Sequence, residues 1–194
     1  MVKRSARLAA ALGLGFGMLG LGWFAAGHAQ ASVTVLGANF AHQCYMAAKY
    51  GEQRDIALDI CTRSIDTEPL ERRDLAGTFV NRGVLYMQQG AFKAAEKDFR
   101  QALSLMPALG EASVNLGGAM VGERRYAEGV AEITRGLALG SEEPEKAYYN
   151  RALGYEGLDD LKSAYFDYLK AAQIKPDWAP PKAELTRFSV KPKQ

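Results

Sequence analysis

Histidine and cysteine, which supply many nucleophilic and metal-dependent sites, are scarce: the 194-residue sequence contains two of each. His28 falls in the amino-terminal apolar stretch, so His42 is the one histidine left for the rest of the chain. A single histidine provides neither a zinc-binding cluster nor a serine–histidine–aspartate arrangement. We interpret His42 as a structural or surface residue, with a contact in a partner-binding groove as the alternative. No phosphate-binding glycine loop is present either, so we predict a protein that is not an enzyme and needs no cofactor.

The sequence also lacks a strong net charge, and what basic excess it has lies at its start. Lys3, Arg4 and Arg7 precede an uncharged run over residues 8–26, and Ala29-Gln30-Ala31 follows it. Small residues on either side of one variable position are what signal peptidase requires. The pattern predicts a signal peptide over residues 1–31, cleaved after Ala31, and export, with the periplasm as the expected compartment. Secretion, or an uncleaved leader that anchors the chain in the membrane, are the alternatives.

Removal of this leader would leave the stretch from Ser32 to Gln194, a length typical of one domain. The formal charge of +2 would fall to −1, because the leader carries three cations and no acidic residue. A nearly neutral chain with scattered charges gives no electrostatic case for nucleic acid binding. We also expect no membrane insertion once the leader has gone.

Regularly spaced small and aromatic residues are the most informative feature of the sequence. Several positions occur three times at intervals of about 34 residues, and a period of this size indicates stacked supersecondary units. The recurring sets are Gly83, Gly117 and Ala152; Tyr86, Met120 and Tyr155; Ala95, Gly129 and Ala164; Phe99, Ile133 and Tyr168; Ala102, Gly136 and Ala171; and Pro107, Ser141 and Pro176.

Each unit is also symmetric about its own middle, which predicts a helical hairpin. Gly83 and Ala95 are equidistant from Gln89, and so are Phe79 and Phe99. Two helices joined by a turn at Gln89 would bring these pairs face to face. A glycine inside a helix costs about 1 kcal/mol relative to alanine. We expect close packing at the helix crossing to offset that cost at Gly83.

The spacing Phe79-x2-Arg82-Gly83-x2-Tyr86, followed by Ala95, Phe99, Ala102 and Pro107, resembles the tetratricopeptide repeat (TPR), a helix-turn-helix of about 34 residues. The resemblance implies an all-α TPR solenoid of about four hairpins. We place a degenerate first repeat at residues 38–71 and the later repeats at 76–109, 110–144 and 145–178. A terminal helix at about 179–189 would cover the end of the stack, as solenoids need. Residues 32–194 would form this single TPR domain.

Cys44 and Cys61 fall on the two predicted helices of the degenerate first repeat. Their midpoint lies close to the turn expected at Gly51, so the two side chains can face one another. Export would place them in an oxidising compartment, where an even number of cysteines favours pairing. We predict a disulfide, with two buried thiols as the alternative.

Two arginines occupy a position where many TPR sequences have leucine. Asp98 follows Arg82 at the same sequence spacing as Asp167 follows Arg151, and each aspartate falls on the facing helix of its predicted hairpin. We predict the ion pairs Arg82–Asp98 and Arg151–Asp167. A role for the arginines in ligand binding is the alternative.

In the TPR family the first helix of each repeat lines a concave surface where partner segments bind. The resemblance implies a groove lined by Val80, Asn81, Val84, Met87, Gln88, Val114, Asn115, Val121, Lys146, Tyr149, Asn150 and Leu153. The asparagines are equivalent positions, suited to bonding the backbone of an extended peptide or, alternatively, to packing between repeats. Few lysines stand beside them, which argues against capture of a terminal carboxylate.

The resemblance implies a non-catalytic adaptor whose protein partner offers an apolar or aromatic helix or extended segment, and the predicted leader places it in the cell envelope. A structural or assembly subunit that uses its convex or terminal faces is the alternative. An enzyme whose chemistry the residue pattern does not reveal is a further one. The sequence predicts no oligomeric state.

Overall fold

The structure is a computed structural model that describes residues 2–4, 29–34, 39–51 and 56–190. Most of the predicted signal peptide, residues 1 and 5–28, lies outside this description. The described residues form nine α-helices and two short strands: β1 Val2–Arg4, α1 Phe40–Tyr50, α2 Ala57–Thr67, α3 Arg72–Gln88, α4 Phe92–Leu105, α5 Gly110–Gly122, α6 Tyr126–Ala138, α7 Pro144–Gly157, α8 Leu161–Ile174, α9 Ala179–Leu185 and β2 Phe188–Val190.

Consecutive helices pair as hairpins, α1 with α2, α3 with α4, α5 with α6 and α7 with α8, and α9 packs on α8. The second helix of each hairpin also packs on the first helix of the next. First helices contact one another along the stack, α1 with α3, α3 with α5 and α5 with α7. This arrangement is an all-α TPR solenoid and confirms the predicted fold.

Close approach at the helix crossings explains the helical glycines. A Cβ on Gly83 would lie 2.9 Å from the Cδ1 and Cζ atoms of Phe99, and one on Gly117 would lie 2.6 Å from the carbonyl oxygen of Gly129. The third hairpin therefore brings backbone against backbone, because both of its helices carry glycine at the crossing. In the fourth hairpin Ala152 and Ala164 are fully buried at the equivalent positions.

The hairpin turns share one backbone conformation. Gly90, Arg124 and Asp159 follow the first helices of three successive hairpins and have φ angles of 74°, 64° and 60°. They occupy equivalent positions of the three repeats. Only the first carries glycine, the residue that adopts a left-handed conformation without steric cost.

The carboxy-terminal end differs in part from the prediction. The terminal helix ends at Leu185 rather than near residue 189, because Phe188–Val190 pairs with Val2–Arg4 in a two-stranded antiparallel sheet. Phe188 is buried against Tyr165 and Tyr168 of α8. Within the described parts of the chain, no helix is both long and apolar enough to cross a membrane. The apolar run over residues 8–26 is outside them.

A disulfide joins Cys44 of α1 to Cys61 of α2, as predicted, with the Cα atoms 4.9 Å apart. Both residues are fully buried and contribute to the same core as Val80 and Val84 of α3. The covalent link therefore lies inside the first hairpin, on the side that meets the second.

Candidate partner-binding groove

A short segment of the chain, Ala29–Thr34, crosses the concave side of the solenoid formed by α3, α5 and α7, which we call the groove. The segment is neither helix nor strand. Ala31 is fully buried and Val33 is 9% exposed, whereas Gln30 and Ser32 are half-buried and Thr34 is exposed. Alternation of this kind is what an extended backbone produces when one side faces a wall.

Three equivalent asparagines hold this segment by its backbone. Asn150 accepts the N–H of Ala29 at 3.0 Å, Asn115 that of Ala31 at 3.1 Å and Asn81 that of Val33 at 2.9 Å. Each amide also donates its Nδ2 to the carbonyl of the same residue, at distances of 2.5, 2.5 and 2.8 Å. One asparagine from each repeat thus binds every second residue through both of its backbone groups.

The side chains of these asparagines are completely buried. A buried amide without hydrogen-bond partners is destabilising by about 1–3 kcal/mol. The backbone of an extended chain supplies a donor and an acceptor on the same edge of alternate residues, which matches the carboxamide group. The groove therefore has three sites that an extended polypeptide satisfies irrespective of its side chains.

The segment runs opposite to the order of the repeats, since Ala29 meets α7 and Val33 meets α3. Between two asparagine sites, Lys146 donates its Nζ to the carbonyl of Gln30 at 2.7 Å. The same ammonium pairs with Glu143 at 2.7 Å. This lysine is a further backbone ligand of the segment and comes from the predicted groove set.

Other predicted groove residues belong to the solenoid core. Val80, Val84 and Met87 form one buried cluster that also includes Val33 of the bound segment. Val114 and Val121 face α6: their Cγ2 atoms would be 2.7 and 2.6 Å from a Cβ on Gly136 and Gly129. These two valines fill the space left by glycines, so they pack within the third hairpin rather than on the open surface of the groove.

The remaining predicted residues lie at the ends of the groove. Gln88 is exposed and donates its side-chain amide to the carbonyl of Ala48 at 3.2 Å. Leu153 is half-buried against the clusters of the third and fourth hairpins. Tyr149 is 3% exposed, and its ring packs against Tyr168 and Trp178. Burial raises the pKa of Tyr149 to about 12.

Sequence reasoning missed several groove residues outside the first helices of the clear repeats. A pocket of about 250 Å³ beside the segment is lined by Ala29, Gln30, Ser32, Ala48, Lys49, Gln88, Lys146 and Trp178. Lys49 donates to the Tyr45 hydroxyl at 2.8 Å. Burial raises the pKa of Tyr45, but its hydrogen bonds with Lys49 and Thr34 outweigh this and leave the pKa below its ordinary value. In the sequence, the i, i+4 spacing of Tyr45 and Lys49 on a predicted helix could have indicated this contact.

Both predicted ion pairs are present, each between the two helices of one hairpin. Arg82 and Arg151 bind Asp98 and Asp167 through two hydrogen bonds each, at 2.7–2.9 Å. The arginines thus link neighbouring helices, with Thr62 and Thr134 of the preceding hairpins as further partners. No group of three or more histidine, cysteine or acidic side chains suited to a metal ion occurs in the described ranges.

Comparison with known proteins supports the fold. Residues 76–108 and 145–177 each match the sequence profile of the tetratricopeptide repeat. No curated protein sequence matches the chain.

Similar solved structures include the TPR domain of Arabidopsis OM64, which is 18% identical, with 60% of this chain and 96% of that one covered and a TM-score of 0.56. A crystal structure of MamA is 20% identical, with coverage of 77% and 82% and a TM-score of 0.59. MamA from Desulfovibrio magneticus RS-1 is 19% identical, with coverage of 78% and 84% and a TM-score of 0.56. At such identities the likeness concerns the fold alone.

Proposed function

Because this chain is a tetratricopeptide repeat protein, and such proteins act as protein-interaction adaptors, we propose that its groove binds an extended segment of a partner protein. The adaptor is non-catalytic and works in the cell envelope. Its binding surface is the line of asparagines on α3, α5 and α7, together with Lys146.

The observation that carries this proposal is the set of paired hydrogen bonds from Asn81, Asn115 and Asn150 to alternate residues of one extended segment. The three asparagines occupy the same position of successive repeats, so the groove offers one binding unit per repeat. Packing between repeats alone would not require both polar ends of each carboxamide to meet a peptide backbone. Contacts of this kind supply affinity, while the pockets between them supply specificity.

Two features favour the envelope as the compartment. The amino-terminal residues have the charge and spacing of a secretory leader. The Cys44–Cys61 disulfide suits an oxidising compartment, since cytosolic thiols are kept reduced.

The test is capture of partners from an envelope extract by the exported protein, followed by measurement of the affinity of the main partner for purified variants. Asn115→Ala removes two hydrogen bonds and should weaken binding by about tenfold. A combined Asn115→Ala and Asn150→Ala variant should weaken it further. Melting curves of both variants establish that they remain folded. Unchanged affinity in both would exclude the groove as the binding surface.

The convex side gives the second candidate function, that of an assembly subunit. Phe166 of α8 is 53% exposed and Ile174 of the same helix is 39% exposed, so this helix presents two apolar side chains to solvent. Phe166→Ser is therefore the matched variant in the same capture experiment. Loss of the partner with this variant, and its retention with Asn115→Ala, would favour assembly through the convex face.

A further inference from the structure

We propose that Ala29–Thr34 is a built-in competitor for the groove, and that cutting the chain after Ala31 opens the groove to partners of the same pattern. The proposal builds on the proposed function, because it names the ligand class and the control of the same site. It begins from the observation that all three asparagine sites are filled from within the chain.

The predicted cleavage point divides the bound segment between two of these sites. Ala31 is held by Asn115 and Val33 by Asn81, so the Ala31–Ser32 bond lies between them. Hydrolysis adds water across this bond and leaves a carboxylate on Ala31 and an ammonium on Ser32. Ala29, Gln30 and Ala31 are then no longer part of the chain that folds, and their hydrogen bonds to α5 and α7 do not form. One asparagine site stays occupied and two become available, along with Lys146.

The order of events follows from burial. A protease must hold the chain around the cut in an extended form in its own active site, whereas Ala31 in the groove is completely buried. Cleavage therefore precedes seating of the segment. A chain that folds uncut keeps its groove closed, and a chain that is cut during export folds with an open one.

The segment also indicates which partner sequences fit. Ala31 has no exposed surface, so the site at Asn115 accepts a small side chain, and the site at Asn150 holds a second alanine. Gln30, between them, is half-buried and contributes its carbonyl to Lys146. The ligand class is thus an extended polypeptide with small residues at two alternate positions, running from the fourth repeat towards the second.

Occupancy is tested in the full chain, purified uncut in detergent, by thiol labelling. The native cysteines are paired, so Ala31→Cys and Thr34→Cys each introduce a single reactive thiol. Position 34 is exposed and position 31 is buried, so maleimide should react about tenfold or more slowly at position 31, since labelling there requires local opening. Asn115→Ala with Asn150→Ala should abolish this difference by raising the rate at position 31 alone.

Equal labelling rates in the parent chain would overturn the proposal. Protection that disappears on dilution would overturn it too, since a second copy would then be supplying the segment. Hydrogen exchange of residues 29–34 in the unsubstituted chain provides a check that does not depend on the new cysteine. Protection there should be lost in the double asparagine variant, and fast exchange in the parent chain would contradict occupancy.

The ligand class is tested with a fluorescent peptide of residues 27–36, GHAQASVTVL. It should bind the exported chain that begins at Ser32 at least about tenfold more tightly than the uncut chain, because two sites are open. The same peptide with arginine in place of Ala31 should not bind, and Asn115→Ala in the protein should weaken binding of the unchanged peptide by about tenfold. Equal binding to cut and uncut chains would overturn the competitor role. If partner capture fails while position 31 is still protected, the proposed function is rejected and the occupancy of the groove by residues 29–34 stands.

Discussion

Gly83 of α3 and Phe99 of α4 meet so closely that a methyl group on the glycine would overlap the aromatic ring, with 2.9 Å between Cβ and Cδ1. Gly83→Leu should therefore destabilise the protein by about 1–3 kcal/mol or more through overpacking. Gly90 in the adjoining turn has open space around it, but its φ of 74° penalises a side chain. Gly90→Ala should cost about 1 kcal/mol because of the backbone conformation, and a larger side chain at this position should cost little more. Urea unfolding measures both; equal losses for Gly83→Leu and Gly90→Ala would contradict this account of the crossing.

Two neighbouring aspartates in the turn before α8 should respond in opposite ways to substitution. Asp159 has a φ of 60°, so Asp159→Gly should stabilise by about 0.5–1 kcal/mol. Asp160 caps α8 by accepting the backbone N–H of Ser163 at 3.1 Å, so Asp160→Ala should destabilise by about 1 kcal/mol. Thermal melting of the two variants gives the comparison. A loss of stability in Asp159→Gly would mean that the aspartate side chain contributes more than its backbone strain costs.

Removal of Arg82 should be damaging, because its side chain is only 16% exposed and bridges two hairpins. The Asp98 side chain is 3% exposed, and Arg82 also donates to the Thr62 hydroxyl of the preceding hairpin at 3.1 Å. Arg82→Ala leaves a nearly buried carboxylate without its partner and should cost about 2–3 kcal/mol. Arg82→Lys keeps the charge but loses the bidentate contact, so its loss of stability should lie between zero and that of Arg82→Ala. A combined Arg82→Met and Asp98→Leu variant that is no more stable than Arg82→Ala would contradict this explanation.

The disulfide should stabilise one end of the solenoid selectively. Closing a loop of this length contributes about 3 kcal/mol. Cys44→Ala with Cys61→Ala should raise amide exchange in α1 and α2 and leave α4 nearly unchanged, because terminal repeats have one neighbour only. Hydrogen exchange by mass spectrometry resolves these helices. A uniform rise along the whole chain would show that the repeats unfold as one unit and that the effect is not local.

Tyr149 predicts a loss of stability at high pH. Burial raises its pKa to about 12 in the folded protein, against about 10 in the unfolded chain. The neutral form is favoured by folding, so this contribution is complete below pH 10 and disappears as the pH rises towards 12. A difference of two pKa units corresponds to about 2–3 kcal/mol. Urea unfolding at pH 9 and pH 11 should show a smaller decrease for Tyr149→Phe than for the parent chain. Equal decreases would place the pH-sensitive group elsewhere, for example at Tyr168, whose pKa is also raised by burial.

The fold was predictable because the period of the sequence records contacts that repeat along the stack. Small residues mark the helix crossings, and the spacing of Arg82 and Asp98 follows from the symmetry of one hairpin. The cysteine pair followed from the same symmetry, although the first repeat is degenerate. In each case a local rule and the overall fold pointed to the same contact.

The groove was harder to predict, because its occupant lies outside the repeats. The sequence around Ala29 and Ala31 indicates a peptidase site, and nothing in this short stretch signals that it contacts asparagines 84 and 121 residues away. The family geometry places Val114 and Val121 in the groove, but in the structure they pack against Gly136 and Gly129 of α6. The strand at Phe188–Val190 depends on pairing with the start of the chain, a long-range contact that local pattern does not encode.

Because one asparagine binds every second residue, the number of repeats sets the length of extended chain that the groove can bind. Two residues of extended chain advance about 7 Å, so seating a segment fixes the spacing of α3, α5 and α7 at their inner faces. A segment seated in the groove is therefore matched to the spacing of these three helices. Each added repeat would lengthen the bound segment by two residues.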